Sequence, residues 1–397
     1  MSVSTPVPVD AVPPAEPTPP RGQRRRRWWV RLVAFLGILG LLAGVGSVVA
    51  YRQLNSNITS ESVADQLDER PPYTPEVSDD QGPRRPLNVL LIGSDTRAGA
   101  NSGYGDQIAG ARGDVTILLH LSADRQRATA VSIPRDTLVQ VPACRRPDGT
   151  SAPGGVDLFN SAYARGGSAC VIRTVERLTD VRIDHHVVID FAGFKHMVDA
   201  LGTVPIYVPR DVDDPKSGLR LEAGAHEADG ETALAYVRNR TLDDSGDLGR
   251  VERQQAFLAS MLREATSTGV LTNPARLYRF LDAATRSVTT DPELADLNEL
   301  RKLAQSLQGI DLDDVRFLTA PNRPHPADPN RVQLTPQADE LWQALRTDSA
   351  LPRKAKTSST ASPTAGAGAT GVPGAPGAPG DIGDAGDIGA TDGARCT

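Results

Sequence analysis

LNVLLIGSD, Leu87 to Asp95, is an apolar run that stops abruptly on a serine and a carboxylate. A short continuous apolar run bounded by polar residues fits a strand buried on both faces. DVTILLHL, from Asp114, and ATAVSI, from Ala128, read as two more strands, with Ser122 to Arg125 as the turn between them. Set side by side as an up-down-up meander, the three bring separate pieces of chain to one sheet edge. These are the end of the first strand (Asp95, Arg97), the start of the second (Arg112, Asp114) and the end of the third (Arg135, Asp136). Two carboxylates facing each other invite a Mg²⁺ ion, which prefers oxygen ligands and retains phosphate as a partner. Guanidinium groups beside them offer the two-pronged geometry that phosphate oxygens accept. A carboxylate alone on a loop is more often turn-forming or solvated, so the reading depends on the meander.

The rest of the folded part alternates. Helices are expected near Ala162 to Leu178 and Phe191 to Ala200, with strands at HHVVIDF (from His185) and VPIYVP (from Val204). Helices follow at Gly230 to Tyr236, Leu248 to Arg263, Pro274 to Thr285 and Pro292 to Leu307. VRFLTAP, from Val315, is a strand and PQADELWQALR, from Pro336, a last helix. Hairpins mixed with helices predict an α/β (α+β) sandwich, a mixed central sheet flanked by helices, rather than a doubly wound parallel sheet.

YVRNRTLDDSGDLGRVERQQ, Tyr236 to Gln255, gathers Arg238, Arg240, Arg250 and Arg253 just before an apolar run. Such a run is ordinarily a solvated face. For a helix starting near Asp247, however, Arg250 and Gln254 share one stripe with Val251, Leu258, Met261 and Leu262, while Arg253 and Glu252 fall off it. A cation on the inward stripe needs a carboxylate or an anionic ligand, because an unpaired buried charge costs several kcal/mol.

The chain has 397 residues and a formal charge of −6, so no global basic field favours nucleic acid. Leu32 to Tyr51 carries no charge, and about 20 residues is the length that spans a hydrocarbon core. Six arginines between Arg21 and Arg31 precede it, and Trp28, Trp29 and Tyr51 sit where interfacial aromatics belong. The positive-inside rule then places the N-terminus in the cytoplasm and everything after Arg52 outside, on a single-pass anchor in the cell membrane. A cleaved signal peptide would have a shorter apolar region. Cys144 and Cys170 fall in the external part, where disulfides persist, and a bond between them is expected. Cys396 is left over.

There is no Walker motif, no GxSxG and no HExxH. His185 and His186 are neighbours on a strand, facing opposite ways, and read as structural.

The order of motifs carries more than any one of them. LNVLLIGSDTR, ARGDVTILLHL, VSIPRDTLVQVP, FNSAYARGG, DHHVVIDFAGF, DGETALAYVRNR and GDLGRVERQQ, in that order, resemble the LytR–CpsA–Psr family of cell-wall proteins over about Leu87 to Gln255. The Gly-rich stretch between Asp95 and Arg112 is longer than the family pattern. The resemblance implies a phosphotransferase that moves a glycopolymer from a polyprenyl-pyrophosphate carrier to peptidoglycan through a phosphodiester. It implies Asp95 and Asp114 as ligands of Mg²⁺ (or Mn²⁺). It places Arg112, Arg135, Arg238, Arg240, Arg250 and Gln254 on the pyrophosphate, with Asp247 orienting Arg250. Asp95, Asp114, Arg112 and Arg135 would be the catalytic set, and the apolar stripe behind Arg250 either adjoins a lipid channel or is ordinary core. The expected partners are the lipid-linked polymer, peptidoglycan and the lipid bilayer, with no nucleic acid. Residues 1–31 would be a disordered cytoplasmic tail, 32–51 the membrane helix, 52–83 an external linker, 84–351 the catalytic domain and 352–397 a disordered Gly/Ala/Pro-rich tail. Two other readings stand beside the transferase: a pyrophosphatase using water at the same site, and an anchored binder or transcriptional attenuator without catalysis.

Overall fold

The computed structural model describes residues 21–79, 82–94, 113–146, 148–242, 247–307, 310 and 315–351. Seven strands make the central sheet: β1 (Thr59–Ser60), β2 (Leu87–Ser94), β3 (Gly113–Leu121), β4 (Ala128–Ser132), β5 (His185–Asp190), β6 (Val288–Thr290) and β7 (Val315–Thr319). Their spatial order is β1-β6-β5-β2-β3-β4-β7. The expected meander is present, because β2 pairs antiparallel with β3 and β3 antiparallel with β4. β5 runs parallel to β2 and β7 parallel to β4, so the ends of β2, β4, β5 and β7 and the start of β3 all lie on one sheet edge. The sheet is mixed, as the sequence led us to expect.

Alternation along the strands divides the sheet into two faces. Leu90, Ile92, Leu118, Val131 and Val188 enter one core with helix α2 (Ser161–Thr179) and the last helix, α9 (Pro336–Arg346), whose Trp342 is fully buried. Cys144 and Cys170 are bonded to each other inside this core. Gly166 lies against that bridge: a Cβ there would sit 2.9 Å from the Cys144 Cβ. A second core joins α3 (Phe191–Leu201), α4 (Gly230–Arg238) and α5 (Asp247–Ala265) to the hairpin Val204–Val208/Gly224–Ala228. α3 and α4 touch through Gly230, whose N–H donates to the Asp199 carboxylate at 2.7 Å.

Three further helices complete the chain order, α6 (Thr268–Leu271), α7 (Pro274–Ser287) and α8 (Leu297–Leu307). The first helix, α1 (Arg21–Asn57), contains one segment long and apolar enough to cross a membrane, with none of its apolar window buried. It runs six residues beyond the expected span.

The stretch 52–83, expected as a free linker, is instead tied into the domain as far as Tyr73. Asn57 Nδ2 donates to the Asp282 carboxylate at 2.9 Å, and Asn55 accepts from the Leu297 N–H at 2.8 Å. β1 then adds to the sheet beside β6. Arg70 pairs with the buried Glu176 at 2.6 Å and donates to the Ile183 carbonyl. Tyr73 lies between the Arg85 and Arg182 guanidinium groups, 4.1 and 3.9 Å from its ring centre. The polar composition concealed these contacts because they rest on side-chain hydrogen bonds from Asn55, Asn57 and Arg70, a two-residue strand and a stacked tyrosine rather than on an apolar run. Of the tails expected at residues 1–31 and 352–397, residues 21–31 instead form the start of α1, and residues 1–20 and 352–397 lie outside the described residues.

Candidate functional site

The Pro134–Thr137 turn after β4 is held by its own backbone. The Thr137 N–H donates to the Pro134 carbonyl at 3.1 Å, and the Asn160 N–H to the Arg135 carbonyl at 3.0 Å. The turn holds Arg135 at the sheet edge, where its Nη1 donates to Asp114 Oδ1 at 2.8 Å and its Nε to Asp136 Oδ2 at 3.4 Å. The meander geometry thus brings Asp114, Arg135 and Asp136 together. Asp95 and Arg112 lie outside the described residues. β2 delivers Ser94 opposite Gly113, so the residues on either side of that gap flank the same point of the ladder.

α5 crosses this edge. Gln255 fixes it, donating to Ser132 Oγ at 2.9 Å and to the Leu318 carbonyl at 3.1 Å, at the ends of β4 and β7. Arg253 fixes it to the end of α4, donating to the carbonyls of Tyr236 (2.8 Å) and Asn239 (2.7 Å). The fully buried Asn239 accepts from the Thr241 and Leu242 N–H groups at 2.8 and 2.9 Å, shaping the loop that carries Arg240. Gln254 donates to the Val237 carbonyl at 3.1 Å. Asp247 opens α5, and its side chain lies outside the described residues.

Two parts of the helical-phase expectation change. Arg253 is buried, not solvent-facing, and serves α4. Leu262 is 37% exposed, so the inward stripe ends earlier than Leu262. Arg250 is buried as expected, with Phe257 two turns further along the same side.

A cavity of about 530 Å³ opens at this edge, and its walls have two characters. Leu91, Ile117, Ile189, Phe194, Phe257 and Leu258 line an apolar part. Leu91, Ile117 and Ile189 are the alternate residues of β2, β3 and β5, facing away from the first core. Asp114, Arg135, Arg238, Arg240, Arg250 and Gln254 line the polar part. Every residue expected on the metal or the pyrophosphate whose side chain is described therefore borders one space. Arg238 also lies over the Phe191 ring, 4.9 Å from its centre.

The sequence reading missed Asp190, Asp214 and Lys216, which border the same cavity. Asp190 ends β5 directly beside Ser94 and caps α3, accepting from the Gly193 N–H at 2.7 Å. Its place at the end of an apolar strand was the available signal. Asp214 and Lys216 sit on a hairpin of three-residue strands, Val212–Asp214 and Leu219–Leu221, too short to be read from periodicity. Burial pushes the Asp214 carboxyl up, but the Ser217 hydroxyl and the Lys216 and Ser217 N–H groups outweigh it and hold it below the usual carboxylate range. Asp214 therefore stays ionised beside the arginines.

Among the described residues, His185, Asp291 and Glu293 bring donor atoms within 4.8 Å of one another. They lie at the opposite sheet edge, where His185 pairs with Val89. Asp291 is occupied there by the His185 ring and the N–H groups of His186, Glu293 and Leu294. His186 is buried against Glu61. Both histidines hold structure.

The LytR_cpsA_psr family model matches residues 50–347. A Corynebacterium glutamicum protein, "Probable cell wall biosynthesis protein LcpB", is 34% identical over 279 residues, 69% of this chain and 63% of that protein. The Bacillus subtilis polyisoprenyl-teichoic acid–peptidoglycan teichoic acid transferase TagT is 31% identical over 258 residues, covering 62% of this chain and 75% of its own. The solved structure of B. subtilis TagV superposes with a TM-score of 0.52 at 25% identity, over 68% of this chain and 99% of that one. The chain spans less than two thirds of the length of its Corynebacterium relative.

Proposed function

The chain belongs to the LytR–CpsA–Psr family, and on that premise we propose that it joins a glycopolymer from a polyprenyl-pyrophosphate carrier to peptidoglycan. The observation that carries this is one cavity lined both by apolar side chains and by four arginines. A long isoprenoid attached to a pyrophosphate has the same two-part chemistry. The anchor α1 would hold the domain at the outer face of the membrane, with residues 1–31 inside, and the folded domain would begin near the end of α1 rather than at residue 84.

In the reaction, a peptidoglycan hydroxyl oxygen attacks the sugar-linked phosphorus. The new P–O bond forms as the bond to polyprenyl phosphate breaks, and the hydroxyl proton is released. Arg135, Arg238, Arg240 and Arg250 would neutralise the charge on the phosphoryl oxygens and the leaving phosphate. Arg112 would join them, and Asp247 would orient Arg250. Asp114 holds Arg135 in place, and Gln254 would donate to a phosphate oxygen.

Asp114 is a hard oxygen donor in the cavity wall, and Asp95 follows directly on Ser94, which pairs with Gly113. An all-oxygen donor set suits Mg²⁺ or Mn²⁺, and Asp95 and Asp114 would hold it. Bound there, the ion would stabilise developing negative charge on the phosphate.

The test is the full chain with labelled lipid-linked donor, Mg²⁺ and a peptidoglycan oligomer. Label on the oligomer supports the transferase. Label released as free polymer phosphate whether or not the oligomer is present would establish a pyrophosphatase. Donor bound and unchanged would establish a binder.

A further inference from the structure

α1 and α7 reach the sheet side by side. α1 ends at Asn57, two residues before Thr59, and α7 ends at Ser287, directly before Val288. Their strands, β1 and β6, are parallel, with Thr59 opposite Thr289. Both helices therefore enter the sheet at one edge and from one side. It is the cavity's edge, since Val288 pairs with Ile189, next to the end of β5. Leu54 is buried, and the bonds from Asn57 to Asp282 and Thr285 lock the two helix ends together.

Tyr51, the interfacial aromatic at the end of the expected span, lies six residues before Asn57. Six helical residues rise about 9 Å. The headgroup layer thus begins less than two turns from the point where α1 meets α7.

On the same side, α6 and the first turns of α7 present an unusual surface. Leu271 is 53% exposed and Tyr278 38% exposed, and Arg276 and Arg279 are exposed with them. Residues 268–281 contain these two arginines and no carboxylate. Apolar and aromatic side chains interleaved with arginine are the composition of a surface that lies in a membrane interface, and basic residues there are drawn to anionic lipid.

We propose that the α6–α7 corner docks into the anionic headgroup layer of the bilayer that α1 crosses. The domain then does not swing freely on its anchor. Its cavity edge is held toward the lipid, so that an isoprenoid chain passes between bilayer and cavity without crossing open water. The docking itself does not depend on which reaction the site performs.

The experiment uses the full chain reconstituted in vesicles of equal parts phosphatidylglycerol and phosphatidylcholine, with a photoreactive p-benzoylphenylalanine at one position at a time. Tyr278 is the test position. Leu42, inside the span, reports whether α1 is inserted. Gln126, on the turn at the opposite sheet edge, reports background. Lipid adduct at 278 should exceed that at 126 by about tenfold or more, as expected for an interfacial surface. Adduct at 42 but only background at 278 would overturn the docking, and background at 42 as well would overturn the anchor from which it is argued. Crosslinking of 278 to a second copy of the chain instead of lipid would also overturn it. Arg276→Glu with Arg279→Glu should reduce the adduct at 278 several-fold in these vesicles, and less in phosphatidylcholine alone. An unchanged yield in both would refute the role of headgroup charge.

Discussion

Arg135 donates to Asp114 at 2.8 Å in the cavity wall, with 13% and 28% of the two side chains exposed. The same guanidinium reaches Asp136 through its Nε. A planar fork can serve a carboxylate on one edge and a phosphate on another; an ammonium group supplies one charge without the fixed geometry. Arg135→Lys should therefore lower transfer by about tenfold or more, ~1.4 kcal/mol in the barrier. Initial rates with labelled donor measure it, and wild-type rates with lysine would show that the fork is irrelevant.

Asp114→Asn separates metal from fold. Its carboxylate is partly solvated, so its pair with Arg135 adds only about 1 kcal/mol or less to stability. The melting temperature should shift by a few degrees at most. Donor turnover at low Mg²⁺ should drop, with recovery at concentrations about tenfold higher, because one negative oxygen ligand has been removed. A variant indifferent to Mg²⁺, or a wild type indifferent to chelator, would end the metal reading.

Arg250 and Arg253 are both buried, yet they answer to different measurements. Arg253 satisfies two carbonyls, of Tyr236 and Asn239. Charged hydrogen bonds of this kind contribute about 1.5–3 kcal/mol each. Arg253→Ala should lower the melting temperature clearly while leaving residual activity in the folded fraction. Arg250 borders the cavity, so Arg250→Ala should weaken donor binding more than it lowers stability. Equal losses of binding per folded molecule in the two variants would contradict this division.

The meander was legible because Leu87–Gly93 and the run from Asp114 are long apolar segments with sharp ends, and their pairing follows from short connections and alternation. Asp114 and Arg135 then followed from where those strands begin and end. Arg253 was misread for a physical reason: helical phase tells which side a residue faces, not whether another helix stands there. Phase placed it off the Val251 stripe, and α4 covers that side through the Tyr236 and Asn239 carbonyls. The docking of residues 55–73 was hidden because Asn55, Asn57 and Arg70 make their contacts by hydrogen bonds to partners more than 100 positions away. Asp190 was legible in principle as the end of an apolar strand. Asp214 was not, since its strand has only three residues.

The last prediction concerns the edge of the sheet away from the cavity. His185 Nδ1 and Asp291 Oδ1 are 3.1 Å apart, and both groups are largely shielded. Burial works against the His185 cation, but the hydrogen bond to Asp291 and the charges of Asp291, Asp184 and Glu293 outweigh it and raise the imidazole above 6.5. Burial works against the Asp291 anion too. The bond and charge of His185, with the Leu294 and His186 N–H groups, still hold that carboxyl below 3.8. The histidine's contribution to stability is complete below pH 6.5 and is lost as pH rises through its raised folded value. The aspartate's contribution is complete above pH 3.8 and is lost as pH falls through its lowered folded value. Both are complete between those limits, in mildly acidic solution. Asp291→Asn removes the charge while keeping an acceptor for the N–H groups. The melting-temperature difference between wild type and Asp291→Asn should therefore be largest near pH 5 to 6 and narrow as pH rises past the folded histidine value. Melting curves of the full chain in detergent across that range measure it. A difference that stays constant with pH, or widens above neutrality, would show that the pair is held by packing and not by charge.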